Sequence, residues 1–263
     1  WLSHQPVLTY TQENKGGAFG FSAGIRLAYE QCADWIWIMD DDTIPTENAL
    51  EQFVLFIAEQ TYMSKIEFFS SLVLWTDGNV HQMNRTYVLE DKIKLAKLEI
   101  SNDNNLSIIQ FGTFVSMFLS SKAVEKIGLP IKEFFIWNDD VEYSKRIINS
   151  GLAGILVRNS IVIHQTPTNH LSNVFKDTTA NLWKYNYGLR NELITKRSHE
   201  GKLQFWITWI HRVFIMPFRV ILNRKDSYWP FIKVIWKSSF GALSFHPVID
   251  TVSKKTEKPV VTE

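Results

Sequence analysis

The chain has 263 residues, 45% of them apolar, and a formal charge of +1. That length and apolar share suit one large domain, or a domain with an appendage, and exclude wholesale disorder. The single cysteine, Cys32, excludes an intramolecular disulfide framework and fits a reducing, cytoplasmic setting.

Residues 7–11 (Val7-Leu8-Thr9-Tyr10-Thr11) read as a strand. The first residue is Trp, and the chain opens almost in this strand, so an earlier strand and helix unit is expected to be missing. The loop Asn14-Lys15-Gly16-Gly17-Ala18-Phe19-Gly20 introduces a helix over 19–31. The apolar run Trp35-Ile36-Trp37-Ile38-Met39 reads as a strand buried on both faces. Pro45 and Thr46 start a helix to about residue 59, with Leu50, Phe53, Val54 and Ile57 on one face. A strand over 66–75 closes in the turn Asp77-Gly78-Asn79. Residues 84–107 are polar and read as an irregular, mobile loop, and 108–119 as a strand. A short helix over 122–127 stops at Gly128 and Pro130. A helix over 139–149 ends at Gly151, and 155–163 is a strand. This alternation predicts an α/β domain over 1–180 with helices on the faces of a sheet.

From Asn181 only helices are predicted, over 181–250, with a polar tail at 251–263. Residues 1–183 carry 14 Lys and Arg against 21 Asp and Glu, while 184–237 carry 11 against 3. The second part also holds Trp206, Trp209, Trp229 and Trp236, so it is basic and aromatic where the first part is acidic. Residues 203–222 are the most apolar stretch, but His211, Arg212, Pro217 and Arg219 interrupt it. It reads as interfacial rather than membrane-spanning. The competing reading is a helical appendage packed on the first domain.

Three carboxylates, Asp40-Asp41-Asp42, follow the apolar strand directly. Adjacent like charges repel and lose hydration near a core, and a divalent cation is the simplest compensation. In extended chain Asp40 and Asp42 share a face while Asp41 points elsewhere. Oxygen ligands suit Mg or Mn, and His164, at the end of a strand, can add a nitrogen. The plainer readings are a solvated acidic turn and a structural histidine; His81 is a weaker candidate still. The glycine loop allows close backbone approach to a phosphate at a helix N-terminus, through Asn14, Gly16, Gly17 and Gly20, but an ordinary turn explains it equally. In Trp137-Asn138-Asp139-Asp140-Val141-Glu142 an aromatic wall precedes three carboxylates, a setting in which a sugar ring is held and its hydroxyl deprotonated. First-turn acids also complement the helix dipole without any such role.

Taken in order, these residues resemble the inverting nucleotide-sugar glycosyltransferases of family 2, in their rhamnosyltransferase and galactofuranosyltransferase branch. Residues 12–22 are similar to that branch's glycine loop, with Phe19 in place of a glycine. Trp37–Asp42 resembles its metal motif, Phe135–Tyr143 its general-base segment, and Tyr187-Gly188-Leu189-Arg190-Asn191 a late Tyr-x-x-Arg-Asn element. The resemblance implies a GT-A fold. It also implies a Mn or Mg ion on Asp40, Asp42 and His164, Asp140 as base, and Asp139 as a partner that positions hydroxyls. Asn14, Gly16, Gly17, Gly20, Asp40 and Asp41 would meet a UDP-galactofuranose or dTDP-rhamnose type donor. Trp137, Asn138 and Glu142 would meet a glycan or lipid-linked acceptor. The expected place is the cytoplasmic face of a bacterial plasma membrane, in surface polysaccharide synthesis. Competing readings are a non-catalytic nucleotide-sugar or glycan-binding remnant and a metal-dependent phosphotransferase. Helical tryptophans and interrupted apolar runs suit lipid better than nucleic acid.

Overall fold

In the computed structural model of the chain the described residues are 7–59, 65–98 and 106–253. Five strands, β1 (Trp35–Met39), β2 (Thr43–Pro45), β3 (Ile66–Leu74), β4 (Ser116–Ser120) and β5 (Ala153–His164), form one mixed sheet in the order β1-β4-β3-β5-β2. β3 and β5 are parallel, and the other pairs are antiparallel. Strand side chains alternate between two apolar layers, as the pleat requires. Ile36, Ile38, Phe68, Met117 and Leu119 pack under helices α1 (Gly17–Glu30), α4 (Ser121–Ile127) and α5 (Asp139–Asn149). Trp35, Trp37, Phe69 and Phe118 face the other way, against α2 (Ala49–Glu59) and α3 (Lys92–Leu98). On that side Phe118 stacks between Trp35 and Phe53, with centroids 5.2 and 5.1 Å away. A mixed sheet flanked by helices and followed by a helical region agrees with the expected GT-A architecture.

Four sequence expectations need correction. Residues 7–11 are exposed and pair with no strand among the described residues, so a β-prone pattern without a partner does not become a strand. Residues 43–45 are not the lead-in to a helix but strand β2, because Thr43 pairs with His164 and Thr46 bonds to the Ile161 carbonyl; the helix starts at Ala49. Part of the supposed irregular loop is helix α3, while residues 99–105 lie outside the described residues. Of the strand expected over 108–119 only its end is β4. Ile108 and Ile109 make single bridges, and Gly112 passes so close to β3 that a Cβ there would lie 2.7 Å from Ser70 Oγ.

The helical region comprises α6 (Leu182–His199), α7 (Lys202–Ile210), a π-helical turn (His211–Ile215), α8 (Met216–Asn223) and α9 (Trp229–Ser244). It packs directly on the α/β part, with Leu193, Ile194, Phe205 and Ala242 buried against Ala18, Ile131 and Phe134. Lys202–Asn223 is one continuous helix whose mean hydropathy of 1.3 makes it long and apolar enough to cross a membrane by length and composition. The π turn lies just before Pro217, whose ring cannot accept a regular α-helical neighbour four residues earlier. Just before the expected polar tail the chain returns to the domain: Leu129 N–H donates to the Asp250 carbonyl, and the Asp250 carboxylate pairs with Arg26 and Lys132; within the tail, Tyr29 Oη donates to the Ser253 carbonyl at 3.1 Å. Residues 254–263 lie outside the described residues.

Candidate active site

The turn after β1 leads directly into β2, which lies along the end of β5. Met39 is the last residue of β1, and the chain turns at Asp40–Asp42 with Thr43 N–H bonded to the Asp40 carbonyl. The Thr43–His164 register then places Asp42 beside His164, fixed further by Gln165 N–H donating to the Asp42 carbonyl. His164 Nε2 lies 2.9 Å from Asp42 Oδ1 and 3.9 Å from Asp40 Oδ2. One ligand atom from each of the three residues falls within 4.8 Å of the others. The pair converges through a turn, not through the strand alternation expected from sequence, and Asp41 is exposed outside it.

His164 is oriented by a residue that the sequence did not single out. Its Nδ1 lies 2.9 Å from Asn84 Oδ1, an acceptor, so Nδ1 is the donor there and Nε2 is the nitrogen turned to the carboxylates. Behind it His81 packs ring to ring at 4.6 Å, with Nε2 2.9 Å from Thr166 Oγ1. Burial, and then the neighbouring His164, push His81 down to about 4, so it is neutral at pH 7. It is therefore a buried support for His164 and not the plain loop residue that its sequence context suggested.

Asp40 opens into a cleft of about 810 Å³, which is also lined by His164, Asp139, Asp140, Trp137 and Asn138. Burial, followed by the charges of Asp140, Asp42 and Asp41, pushes Asp40 up to about 7. Burial likewise raises Asp139 and Asp140 above the ordinary carboxylate range. Backbone N–H donors act against this at Asp140, where Oδ1 accepts from Val141 N–H at 2.7 Å. The site thus holds several partly desolvated carboxylates with too little positive charge around them. Two carboxylates and an oriented imidazole nitrogen form a donor set that fits a divalent cation of the Mn or Mg class, and a bound cation would relieve this repulsion.

The segment before α5 is backbone-strained. Phe135, Trp137 and Asn138 all have positive φ, of 67, 64 and 66°. Each such residue costs about 1–3 kcal/mol and persists only where its surroundings fix it. The conformation turns Trp137 and Asn138 into the cleft and starts α5 so that Asp139 and Asp140 line the same wall. Phe135 stacks on Tyr187 at 4.6 Å, and Trp137 meets Tyr185 edge-on at 5.1 Å, so α6 forms the back of this wall.

Four further expected site residues lie outside the cleft. Glu142 does not line the cleft; it is buried in an ion pair with Arg146 at 2.6 Å and accepts from His199 Nε2 at 3.2 Å. A first-turn acid on the helix face away from the cleft cannot touch an acceptor. Gly16 does not line the cleft, and protein packing alone requires it, since a Cβ there would fall 2.3 Å from the Phe135 carbonyl oxygen. Asn14 caps that turn through Gly16 N–H, and Gly20 lies within α1 near Gln12. Of the four expected loop contacts only Gly17 reaches the cleft.

Residues 3–127 match the model of the family described as "Glycosyl transferase family 2". The chain is also similar to the galactofuranosyltransferase GlfT1 of Mycobacterium tuberculosis, with 28% identity over 157 residues, or 57% of this chain and 50% of that protein. For the GlfT1 of Mycolicibacterium smegmatis the identity is 29% over 160 residues, covering 57% and 51%. The chain spans about half the length of these curated relatives.

Proposed function

From the premise that this chain belongs to the family 2 glycosyltransferases, we propose that it is an inverting, metal-dependent enzyme. It would move a furanosyl or deoxyhexosyl residue, of the UDP-galactofuranose or dTDP-rhamnose type, to a glycan or lipid-linked acceptor in surface polysaccharide synthesis. The observation that carries the proposal is the presence of the Asp40, Asp42 and His164 group and of Asp140 in and beside one cleft. The likeness to galactofuranosyltransferases favours the first donor type.

Asp40, Asp42 and His164 would hold the cation, Mn or Mg. When bound, that ion supplies Lewis-acid neutralisation of the donor diphosphate. Trp137 and Asn138 form the wall against which the acceptor sugar lies. Asp140 takes the acceptor hydroxyl proton as the new bond forms at the anomeric carbon and the bond to the departing phosphate oxygen breaks. Its carboxylate accepts from backbone N–H groups, Val141 at 2.7 Å among them, which hold it in place against the cleft. Asp139, buried and raised further, holds its own proton and orients sugar hydroxyls. A correctly placed base contributes ~10²–10⁴-fold in rate. The reaction belongs at the cytoplasmic face of a bacterial plasma membrane, where the basic, aromatic helices would rest.

Incubating the chain with a panel of nucleotide sugars and a lipid-linked acceptor, with Mn or with chelator, tests the reading by mass spectrometry of the products. A new, Mn-dependent glycosidic linkage is expected. Donor binding without turnover under every condition would support instead the non-catalytic alternative, and phosphoryl transfer would overturn the reading.

A further inference from the structure

The strained segment that carries the acceptor wall has one buried collector for three of its carbonyl groups. Asn191, on α6, is fully buried, and its Nδ2 lies 2.8 Å from the Phe134 oxygen, 3.1 Å from that of Ile136 and 2.9 Å from that of Trp137. Its Oδ1 accepts from Arg190 Nε and Nη2 at 3.1 and 2.9 Å, and the same Nη2 donates to the Glu133 carbonyl at 2.9 Å. Three acceptors on one side and a guanidinium on the other leave only one sensible orientation for the amide. One turn earlier, Gly188 completes the clamp: a Cβ there would lie 2.6 Å from the Trp137 ring, and its carbonyl accepts from Asn138 Nδ2 at 3.3 Å. Neither Asn191 nor Arg190 lines the cleft.

We propose that Asn191 is a positioning residue that, with Gly188 as its spacer, holds Phe135, Trp137 and Asn138 in left-handed conformations and so presents the acceptor wall and Asp140. The proposal rests on the glycosyltransferase reading for its kinetic part, while its conformational part stands apart from it. An ordinary backbone would turn these carbonyl groups elsewhere, and the first turn of α5 would shift with them. A displacement of about 1 Å at reacting groups costs up to ~10²-fold in rate.

Two variants act on the segment from different directions. Asn191→Ala removes the collector. Gly188→Ala places a methyl group against Trp137 from the other side, and Tm measured for both variants separates a displaced segment from a general loss of fold stability. Hydrogen exchange followed by mass spectrometry is expected to show faster exchange over residues 134–142 in both variants, with the sheet unchanged. Kinetics are expected to show kcat lower by about 10- to 10²-fold, with the KM for the nucleotide sugar within about two-fold, because the metal-binding group sits on other elements. Wild-type exchange over 134–142 in either variant would overturn the proposal, as would equal falls in kcat and rises in donor KM. If the wild-type protein transfers no sugar from any donor, the functional reading fails and the exchange data alone decide the role of Asn191.

Discussion

At the scale of single residues, charge explains most of the site. Asp140→Asn keeps the size of the side chain and removes the base, so donor affinity measured by calorimetry should hold while transfer falls ~10²–10⁴-fold; undiminished transfer would remove Asp140 as base. Because burial raises Asp140, the acid limb of the kcat profile should lie above the ordinary carboxylate range, with rate lost as pH falls through it. Asp42→Ala should abolish Mn-dependent turnover, since it deletes the carboxylate nearest His164. Asp40 also makes a linkage prediction. A carboxyl raised from 3.8 to about 7 binds more protons folded than unfolded, so the metal-free protein should lose stability as pH rises from about 4 to about 7. Mn should therefore raise Tm more at pH 8 than at pH 5; an equal shift at both would show that the ion does not sit by Asp40. The Asp triplet was legible in the sequence because carboxylates directly after a greasy strand need an explanation. Asn84 was not, because nothing local reveals that a polar loop will fold back onto His164. Glu142 was misread for a related reason: helix position fixes which residues are acidic in a first turn, but only packing decides which of them meets Arg146 and which meets the cleft.

At the scale of elements, the long, periodic segments were legible and the short, pairing-dependent ones were not. Trp35–Met39 puts two tryptophans on one face and two isoleucines on the other, and α1 and α5 have glycine-marked ends, so each is encoded locally. β2 is three residues long and contains Pro45; it exists because it lies along β5, on the edge of the sheet, where a missing N–H is tolerated. Residues 7–11 show the converse, a good strand pattern without a ladder. Within the sheet, Gly154 in β5 has a role that no local pattern discloses. The Phe68 ring of β3 lies where its Cβ would be, at 1.9 Å, and Phe68 is fully buried in the main core. Gly154→Ala must therefore push Phe68 off its rotamer or part β3 from β5. Overpacking of this kind costs about 1–3 kcal/mol, to be read as a lower urea midpoint at unchanged m. Because β5 ends at His164, the same variant should weaken Mn-dependent stabilisation; a neutral result would mean that the strands separate more easily than their shared ladder suggests.

Across the whole molecule, an acidic cleft is joined to a helical face that is both greasy and basic. On α7 and α8 Leu203, Phe218 and Leu222 stand largely out of the protein, at 75, 69 and 83% exposure. Trp209 gathers Trp206, Phe214 and Phe240 around it with centroids 5.4–6.5 Å away, so the aromatic rings form a band. Lys202, Arg219, Lys233 and Lys237 are exposed on these helices and on α9, and Lys225 in the loop before α9. Arg212 is different: it is buried, donating to the Leu189 carbonyl and pairing with Glu192 on α6. That tie, with Phe205 and Val220 packed inward, fixes one side of the Lys202–Asn223 helix to the α/β part and leaves the other side exposed. A helix so divided suits the plane of a membrane surface better than a crossing, where both sides would meet acyl chains. Each cation near an anionic surface is worth about 1 kcal/mol, and salt screens this contribution within about 10 Å at 0.1 M. The protein should therefore sediment with vesicles containing phosphatidylglycerol, bind purely zwitterionic vesicles much less, and release in part as salt rises. Phe218→Asp with Leu222→Asp should abolish sedimentation at unchanged Tm, since both side chains already face outward in the free protein. Retained binding by that double variant, or a falling Tm, would mean that this face is covered by protein and not by lipid.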